Sequence, residues 1–152
     1  MGAGVLYGVN ATIAAAGGAS QILQGMVDGR AKVMVDSYVT LGTGEDATST
    51  IAMGSVLPKG ARILDVILAL SGALSASVTL DVGDASDPNR YLDSVACSAQ
   101  TVVHMTALTA GLNYIIGTDT STDDTQVLVT ISDQNNAVSA AVIKLIVIYA
   151  LD

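Results

Sequence analysis

The sequence predicts an all-β protein: an antiparallel β-sandwich of the jelly-roll type with an extended N-terminal arm. The β-branched residues Val, Ile and Thr, which favour strands, make up 43 of the 152 residues. After Arg30, apolar and polar residues alternate with period two, and clusters of Gly, Pro, Asp and Asn separate the alternating stretches. No long stretch repeats apolar residues at spacings of three and four, so neither a helical body nor a parallel sheet with crossover helices is expected.

The first predicted strand covers residues 31–41, where Val33, Val35 and Val39 alternate with polar or larger side chains, as in a half-buried strand. Residues 42–45 are expected to turn it. Eight further strands are predicted, at residues 49–54, 61–71, 77–82, 90–96, 101–107, 112–117, 125–132 and 137–151. Nine strands suggest two packed sheets. Between two of them, Pro58 can fix φ and Gly60 can take a positive φ in a tight turn.

Residues 1–27 are predicted to form an uncharged arm, and residues 28–152 a single β-sandwich domain. Gly or Ala occupies 12 of the first 27 positions, and none of the 27 is charged. An apolar segment of this kind is expected to lie on a partner surface. The alternative, a short helix over residues 11–24, is disfavoured by the Gly17-Gly18 pair. The arm residues expected to make the contacts are Val5, Leu6, Tyr7, Val9, Ile13, Ile22 and Leu23.

Charge and composition argue against several classes of partner. With 14 acidic and 6 basic side chains, the net charge of −8 is unsuited to neutralising phosphates, so neither nucleic acid nor an anionic membrane surface is expected to bind. The longest apolar run, residues 145–151, is far shorter than the roughly 20 residues of a spanning helix. A single cysteine cannot form an internal disulfide, and the N-terminus lacks a secretory signal pattern, so a cytosol-like compartment is expected.

Isolated residues and motifs give no convincing catalytic site. Residues 42–47 match the letters of a dinucleotide-binding fingerprint, but they lead into another strand and include two carboxylates, so a hairpin turn is predicted there. His104 is the one histidine and has no carboxylate nearby in sequence, which favours a structural or surface role. Cys97 is predicted to be a small buried hydrophobic residue.

Acidic residues offer one open alternative. Asp81, Asp84, Asp87 and the pair Asp123-Asp124 could supply hard oxygen ligands for calcium, but they do not match the EF-hand spacing. Because Asp also stabilises turns through its own backbone, a turn role is favoured and cation binding stays open. We therefore predict no catalytic residue, no cofactor, no metal site and no enzymatic activity.

Short blocks spread over nearly the whole chain carry a resemblance to a known family. They are Tyr7-Gly8-Val9-Asn10, Val27-Asp28-Gly29-Arg30-Ala31-Lys32-Val33, Met53-Gly54, Leu57-Pro58-Lys59-Gly60-Ala61, Thr79-Leu80-Asp81-Val82-Gly83-Asp84, Asn89-Arg90-Tyr91, Asp123-Asp124-Thr125-Gln126 and Ile143-Lys144-Leu145-Ile146-Val147. Together they resemble small virion proteins of tailed bacteriophages, in particular the head decoration, or cement, proteins.

The resemblance implies a β-sandwich that assembles as a homotrimer on the outer surface of the capsid and clamps neighbouring major capsid subunits. It implies assembly in the host cytoplasm, and it carries over no catalytic residue. The expected function is therefore structural: decoration and stabilisation of a phage capsid. The alternative is a head-fibre or tail-associated domain that binds a receptor or carbohydrate. Such a domain is expected to expose aromatic platforms, and this chain has no Trp and five Tyr.

Overall fold

The structure is a computed structural model, and it describes residues 30–40, 42, 49–105, 111–119, 124–132 and 138–151. Within these ranges the chain forms eight strands and no helix that could span a bilayer. The strands are β1 (Ala31–Val39), β2 (Thr50–Met53), β3 (Ala61–Leu70), β4 (Thr79–Gly83), β5 (Leu92–Ala96), β6 (Thr101–His104), β7 (Val127–Ser132) and β8 (Val142–Leu151). The predicted N-terminal arm and its boundary with the domain lie outside the described residues.

Two four-stranded antiparallel sheets form a sandwich. Sheet A has the strand order β1-β8-β3-β6, and sheet B has the order β2-β7-β4-β5. Strands that follow each other in the sequence mostly lie in different sheets. The exception is β4 and β5, which pair with each other in sheet B. This arrangement is the jelly-roll topology, so the predicted fold class is confirmed.

Period-two alternation explains how the two sheets meet. In β3 and β8, alternate side chains such as Ile63, Leu68, Ile143 and Leu145 are fully buried, while their neighbours point to the outer side. Small aliphatic side chains fill the interior, as expected of a chain without Phe or Trp, and Tyr91 is the largest fully buried residue among those described. Burial of such side chains is the main driving force for folding.

The prediction of a hairpin turn at residues 42–47 is wrong, because the two strands that it would join, β1 and β2, lie in different sheets. β1 pairs with β8, and β2 pairs with β7. Gly42 does turn the backbone, with φ of +76°, but the chain then crosses from sheet A to sheet B. Residues 43–48 lie outside the described ranges. Alternation of side chains specifies a strand but not the strand with which it pairs.

The predicted strand at residues 112–117 is also wrong. Within the described residues, this segment pairs with β3 through an isolated β-bridge between Ile115 and Arg62, at the start of β3. Asn113 (φ +62°) and Gly117 (φ +83°) take left-handed conformations that interrupt an extended chain. The apolar pair of isoleucines produced the strand pattern, whereas the backbone forms two turns that pack beside β3.

The turn that precedes β3 has the predicted backbone. Gly60 has φ of +85°, and its N–H donates to the carbonyl of Ile116 at 2.8 Å. Nothing lies within 4 Å of the position of an added Cβ. A side chain at this position would therefore be strained by its backbone conformation alone, rather than by a neighbouring atom.

We expect Gly60→Ala to lower the free energy of unfolding by about 1–2 kcal/mol, because an L-residue pays about that much in the left-handed region. The matched control is Gly72→Ala. Gly72 also has nothing within 4 Å of an added Cβ, and its φ lies outside the left-handed range. Thermal or denaturant unfolding should show a loss for Gly60→Ala and no loss for Gly72→Ala. Equal effects would contradict the role assigned to the Gly60 backbone.

Candidate interaction surface

The outer face of sheet A is aliphatic, although it points away from the core. Three β1 side chains on this face, Val33, Val35 and Val39, are 58%, 54% and 55% exposed, and Val102 of β6 is 62% exposed. The register places partly buried aliphatic residues of β3 and β8 between them. We call this surface the A face, and its aliphatic members are Val33, Val35, Val39, Leu64, Ile67, Val102, Val142, Ile146 and Ile148.

The outer face of sheet B has a different composition. Hydroxyl and carboxyl side chains predominate there, with one leucine and two alanines; the residues are Thr50, Ala52, Thr79, Asp81, Asp93, Ser94, Ala96, Leu128, Thr130 and Ser132. Asp81 accepts hydrogen bonds from the Ser132 hydroxyl (2.6 Å) and the Ser94 N–H (2.7 Å), so its carboxylate ties β7 and β5 to β4. The outer face of sheet B therefore has the composition of a solvent-exposed surface, whereas the A face has the composition of a protein-binding surface.

In the part of the chain that the structure describes, five polar side chains lie among the aliphatic residues of the A face: Ser37, Arg62, Asp65, His104 and Lys144. Lys144 is exposed near the middle of this face, paired in register with Ser37 and Ala69. At the β6 margin, His104 Nδ1 lies 2.9 Å from Asp65 Oδ2. The side chain of His104 is exposed, as the sequence predicts for a surface histidine, and its partner comes from 39 residues away in the chain, which no local pattern could show.

Cys97 and His104 do not form a reactive pair. Cys97 is fully buried, and its thiol donates to the carbonyl of Val95 at 3.1 Å, whereas the His104 imidazole contacts Asp65 on the outer side of sheet A. Burial raises the pKa of the Cys97 thiol to about 11. The thiol therefore stays protonated and unreactive at neutral pH.

A buried polar network joins the loops at one end of the sandwich. The Asp84 carboxylate has no exposed side-chain area and accepts hydrogen bonds from the Ser86 hydroxyl (2.7 Å), the Asp87 N–H (3.0 Å) and Arg90 Nε (2.6 Å). The Arg90 guanidinium lies 4.0 Å from the centroid of the Tyr114 ring. Charge-assisted hydrogen bonds and the cation–π contact thus fix the β4–β5 loop against the 111–119 segment.

The network continues to a second buried carboxylate. The Tyr114 hydroxyl donates to Asp124 Oδ2 at 2.6 Å, and the Gly117 N–H donates to the same carboxylate at 2.9 Å. Burial, followed by the bond to Asp124, raises the pKa of Tyr114. Asp124 is 1% exposed, so its function is to hold this loop. The sequence showed these residues only as members of acidic or turn-rich stretches.

The candidate calcium ligands that the structure describes connect strands or hold loops. Asp81, Asp84 and Asp124 accept hydrogen bonds from nearby backbone or side-chain donors, and the Asp87 carboxylate lies 3.9 Å from the Arg90 guanidinium. Asp123 lies outside the described residues. Across the described ranges, no group of three or more His, Cys, Asp or Glu side chains could hold a metal ion. The arm residues predicted as contacts, Val5 to Leu23, also lie outside the described part of the chain.

Chains of several solved bacteriophage capsids have a similar structure. A chain of the cyanophage Pam1 capsid asymmetric unit is 26% identical, with a TM-score of 0.64 over 82% of this chain and 86% of that chain. A chain of the capsid of Ralstonia phage GP4 is 22% identical, with a TM-score of 0.59 over 82% of this chain and 86% of that one.

A chain of the acidic stable capsid structure of Helicobacter pylori bacteriophage KHP30 is 15% identical, with a TM-score of 0.51 over 80% of this chain and 87% of that one. No protein-family model matches the sequence, and no curated protein matches it. The similarity to the Pam1 chain indicates a phage capsid-related protein. The similarities to the GP4 and KHP30 chains show the shared fold.

Cys97 provides a chemical test of the core. With a pKa of about 11, about one thiol in a thousand is ionised at pH 8, and the folded core also blocks access. We expect a thiol-specific disulfide reagent to label the folded protein at least about 100 times more slowly than the unfolded chain. Val102→Cys, which places a second thiol on the exposed A face, is the control and should label at once. Rapid labelling of Cys97 in the folded protein would place it outside the core.

Arg90 provides a test of the loop network. Arg90→Leu leaves the Asp84 carboxylate buried without its cation, so we expect the free energy of unfolding to fall by about 3 kcal/mol in denaturant titrations. Lys59→Leu removes the same charge from an exposed turn and is expected to change stability by no more than about 0.5 kcal/mol. If the two variants are equally stable, the Asp84–Arg90 pair does not hold the loop.

Proposed function

We propose that this chain is a structural protein of a bacteriophage virion that decorates the outer surface of the capsid and stabilises it by binding major capsid subunits, as a cement protein does. The observation that carries the proposal is the contrast between the two sides of the sandwich. The A face is aliphatic, and the outer face of sheet B is mainly polar. The similarity to a chain of the Pam1 capsid supports a structural role in a phage virion.

The aliphatic side is proposed to face the capsid, and the polar side the solvent. Complete burial of a Val side chain contributes about 1.5–3 kcal/mol, so covering the half-exposed Val33, Val35, Val39 and Val102 contributes on the order of 1 kcal/mol each. Association costs about 4–15 kcal/mol in lost translational and rotational freedom. One A face therefore gives only weak binding, and a durable decoration needs further contacts.

Two features are proposed to supply these contacts. A homotrimer would present three A faces at once, and the second and third bind at a high effective concentration. The uncharged arm would add contacts to the capsid or to a neighbouring subunit through Val5, Leu6, Tyr7, Val9, Ile13, Ile22 and Leu23. Because ordering the arm costs about 1–2 kcal/mol per residue, apolar burial and backbone hydrogen bonds together must exceed that cost.

Decoration of this kind requires no chemistry, cofactor or metal. The carboxylates of Asp84 and Asp124 are committed to loop structure, and the Cys97 thiol is committed to the core. The net charge of −8 suits the outside of a capsid better than contact with the DNA inside it. The protein is proposed to assemble from the host cytoplasm onto the completed head.

The central test is binding of the full-length protein to heads of its own phage prepared without it. We expect saturable binding to the head exterior and release of packaged DNA at a higher temperature once the protein is bound, measured with a dye that fluoresces on exposed DNA. Localisation at the tail or on a head fibre, seen by electron microscopy, would instead favour the receptor-binding alternative.

Matched variants separate the two sides of the sandwich. Val35→Asp combined with Val102→Asp puts two charges on the A face and is expected to weaken head binding at least tenfold, whereas Ala52→Asp combined with Ala96→Asp on sheet B should bind normally. Circular dichroism should show that both pairs stay folded, since all four side chains lie on outer faces. Normal binding of the A-face pair would contradict the assignment of that face.

Deletion of residues 2–26 tests the arm separately. The remaining domain is expected to stay soluble, because the described core lies entirely within residues 34–147. It should lose most of its occupancy on heads in a sedimentation assay, and light scattering should show whether the full-length protein is a trimer. Full occupancy without the arm, or a monodisperse full-length monomer, would contradict the arm and the trimer respectively.

A further inference from the structure

β1 differs from the other edge strands of the sandwich. It has nine residues that pair with β8 without interruption, whereas β2 and β6 have four each. β5 has five residues, and it contains Ser94 at a positive φ and a register shift against β4. Bulges and short lengths are the usual protection of sheet edges against added strands. β1 has neither of these protections.

Among the described residues, no strand pairs with the outer side of β1, and the backbone groups there are positioned to accept one. Thr40 N–H donates to the carbonyl of Ala141, its direct neighbour in the β1–β8 register. Even-numbered residues of β1 therefore turn their backbone groups to β8, and odd-numbered residues turn theirs to the open edge. The odd-numbered residues include Val33, Val35 and Val39, so the open edge borders the exposed part of the A face.

The charges of β1 leave most of this edge open. Its two charged side chains, Lys32 and Asp36, belong to the even-numbered set, on the side opposite the exposed valines. Asp36 accepts a hydrogen bond from the Gly54 N–H at 2.6 Å through Oδ2, and its Oδ1 accepts one from the N–H of Ser37 at 2.8 Å. One odd-numbered N–H of β1 is therefore already engaged, and the donors of Val33, Val35 and Val39 are the ones considered for an added strand. Lys32 lies at the beginning of the strand. A strand added along Val33 to Val39 would thus meet backbone donors and acceptors beside aliphatic side chains.

The chain itself contains a segment of matching chemistry. The first 27 residues hold no charge, and Val5-Leu6-Tyr7-Gly8-Val9 concentrates four residues with apolar side chains, three of which favour strands. In the sequence, residues 10–29 connect this segment to the beginning of the domain. The twenty residues 10–29 can span about 66 Å when extended, at about 3.3 Å each, while nine residues of β1 span about 30 Å. The segment can therefore reach well beyond its own copy.

We propose that residues 5–9 of one copy add as a strand to the open edge of β1 in a neighbouring copy. The proposal rests on the proposed function, since a decorating protein becomes more durable when its copies are linked. It assigns the arm a specific acceptor: the β1 edge, with Val33, Val35 and Val39 on the covered side. Backbone hydrogen bonds would supply affinity, and the aliphatic side chains would select an uncharged strand.

Cross-linking of two separately tagged full-length proteins tests the proposal. One carries Leu6→Cys, and the other carries Val35→Cys; native Cys97 is buried and does not compete. With a short bis-maleimide, we expect a band containing both tags, in solution or on heads. The matched control replaces Val35→Cys by Ala52→Cys, which is exposed on the edge strand β2 of sheet B. The β1 pair should cross-link at least tenfold more.

Equal yields from the two pairs would overturn the proposal. A cross-link that forms only when Leu6→Cys and Val35→Cys share one chain would also overturn it, by showing that the arm folds back on its own copy. Val35→Pro is a second variant. It removes an N–H at the open edge and leaves the bonds to β8, so it should abolish cross-linking between Leu6→Cys and Val39→Cys copies while the domain stays folded.

The same samples distinguish this proposal from the proposed function. Loss of the cross-link with normal head binding would overturn the strand exchange alone. A normal cross-link in a protein that does not bind heads would overturn the capsid assignment alone.

Discussion

Every side chain on a β-strand faces one of two sides, and this constraint determines both the stability and the interactions of the protein. The inner faces of sheets A and B are alike: both carry closely packed aliphatic residues such as Ile63, Leu80, Ile131 and Leu145. On their outer faces they differ. Sheet B has mainly hydroxyl and carboxyl groups, whereas sheet A has valine and isoleucine, so one half of the sandwich still has apolar surface to cover.

The loops serve this arrangement by making the domain rigid. Asp84, Arg90, Tyr114 and Asp124 form a chain of hydrogen bonds and one cation–π contact that holds the β4–β5 loop, the 111–119 segment and the start of β7 together. The carboxylates that suggested a cation site thus act as acceptors for the protein's own donors. A rigid domain loses less conformational entropy on binding, which helps a surface whose apolar contacts are individually small.

Much of the fold was predictable from sequence, because period-two patterns and turn residues depend on neighbouring positions. The strands near residues 31–39, 61–70 and 142–151 follow from alternation, and the backbone of Gly60 follows from the Pro58–Gly60 turn. Pairing was not predictable, since alternation does not name a partner. The expected hairpin after β1 therefore proved to be a crossing between sheets, and the Ile115-Ile116 pair proved to belong to turns.

The candidate surface was hidden from sequence for a similar reason. Hydrophobicity alone would place Val33 and Val35 in the core, but the register of β1 with β8 turns Met34 inward and the valines outward. The His104–Asp65 contact likewise joins residues that only the β3–β6 pairing brings together. A protein-binding face could be assigned only once the structure showed which of the two alternating sets of side chains on each strand is buried in the core.

The most direct measurement of the central claim is a cryo-electron microscopy reconstruction of decorated heads at a resolution that separates the strands. The account predicts that the aliphatic outer face of sheet A lies against capsid subunits or a neighbouring copy, with sheet B facing solvent. Density with sheet B against the capsid and Val33, Val35 and Val102 in open solvent would contradict it.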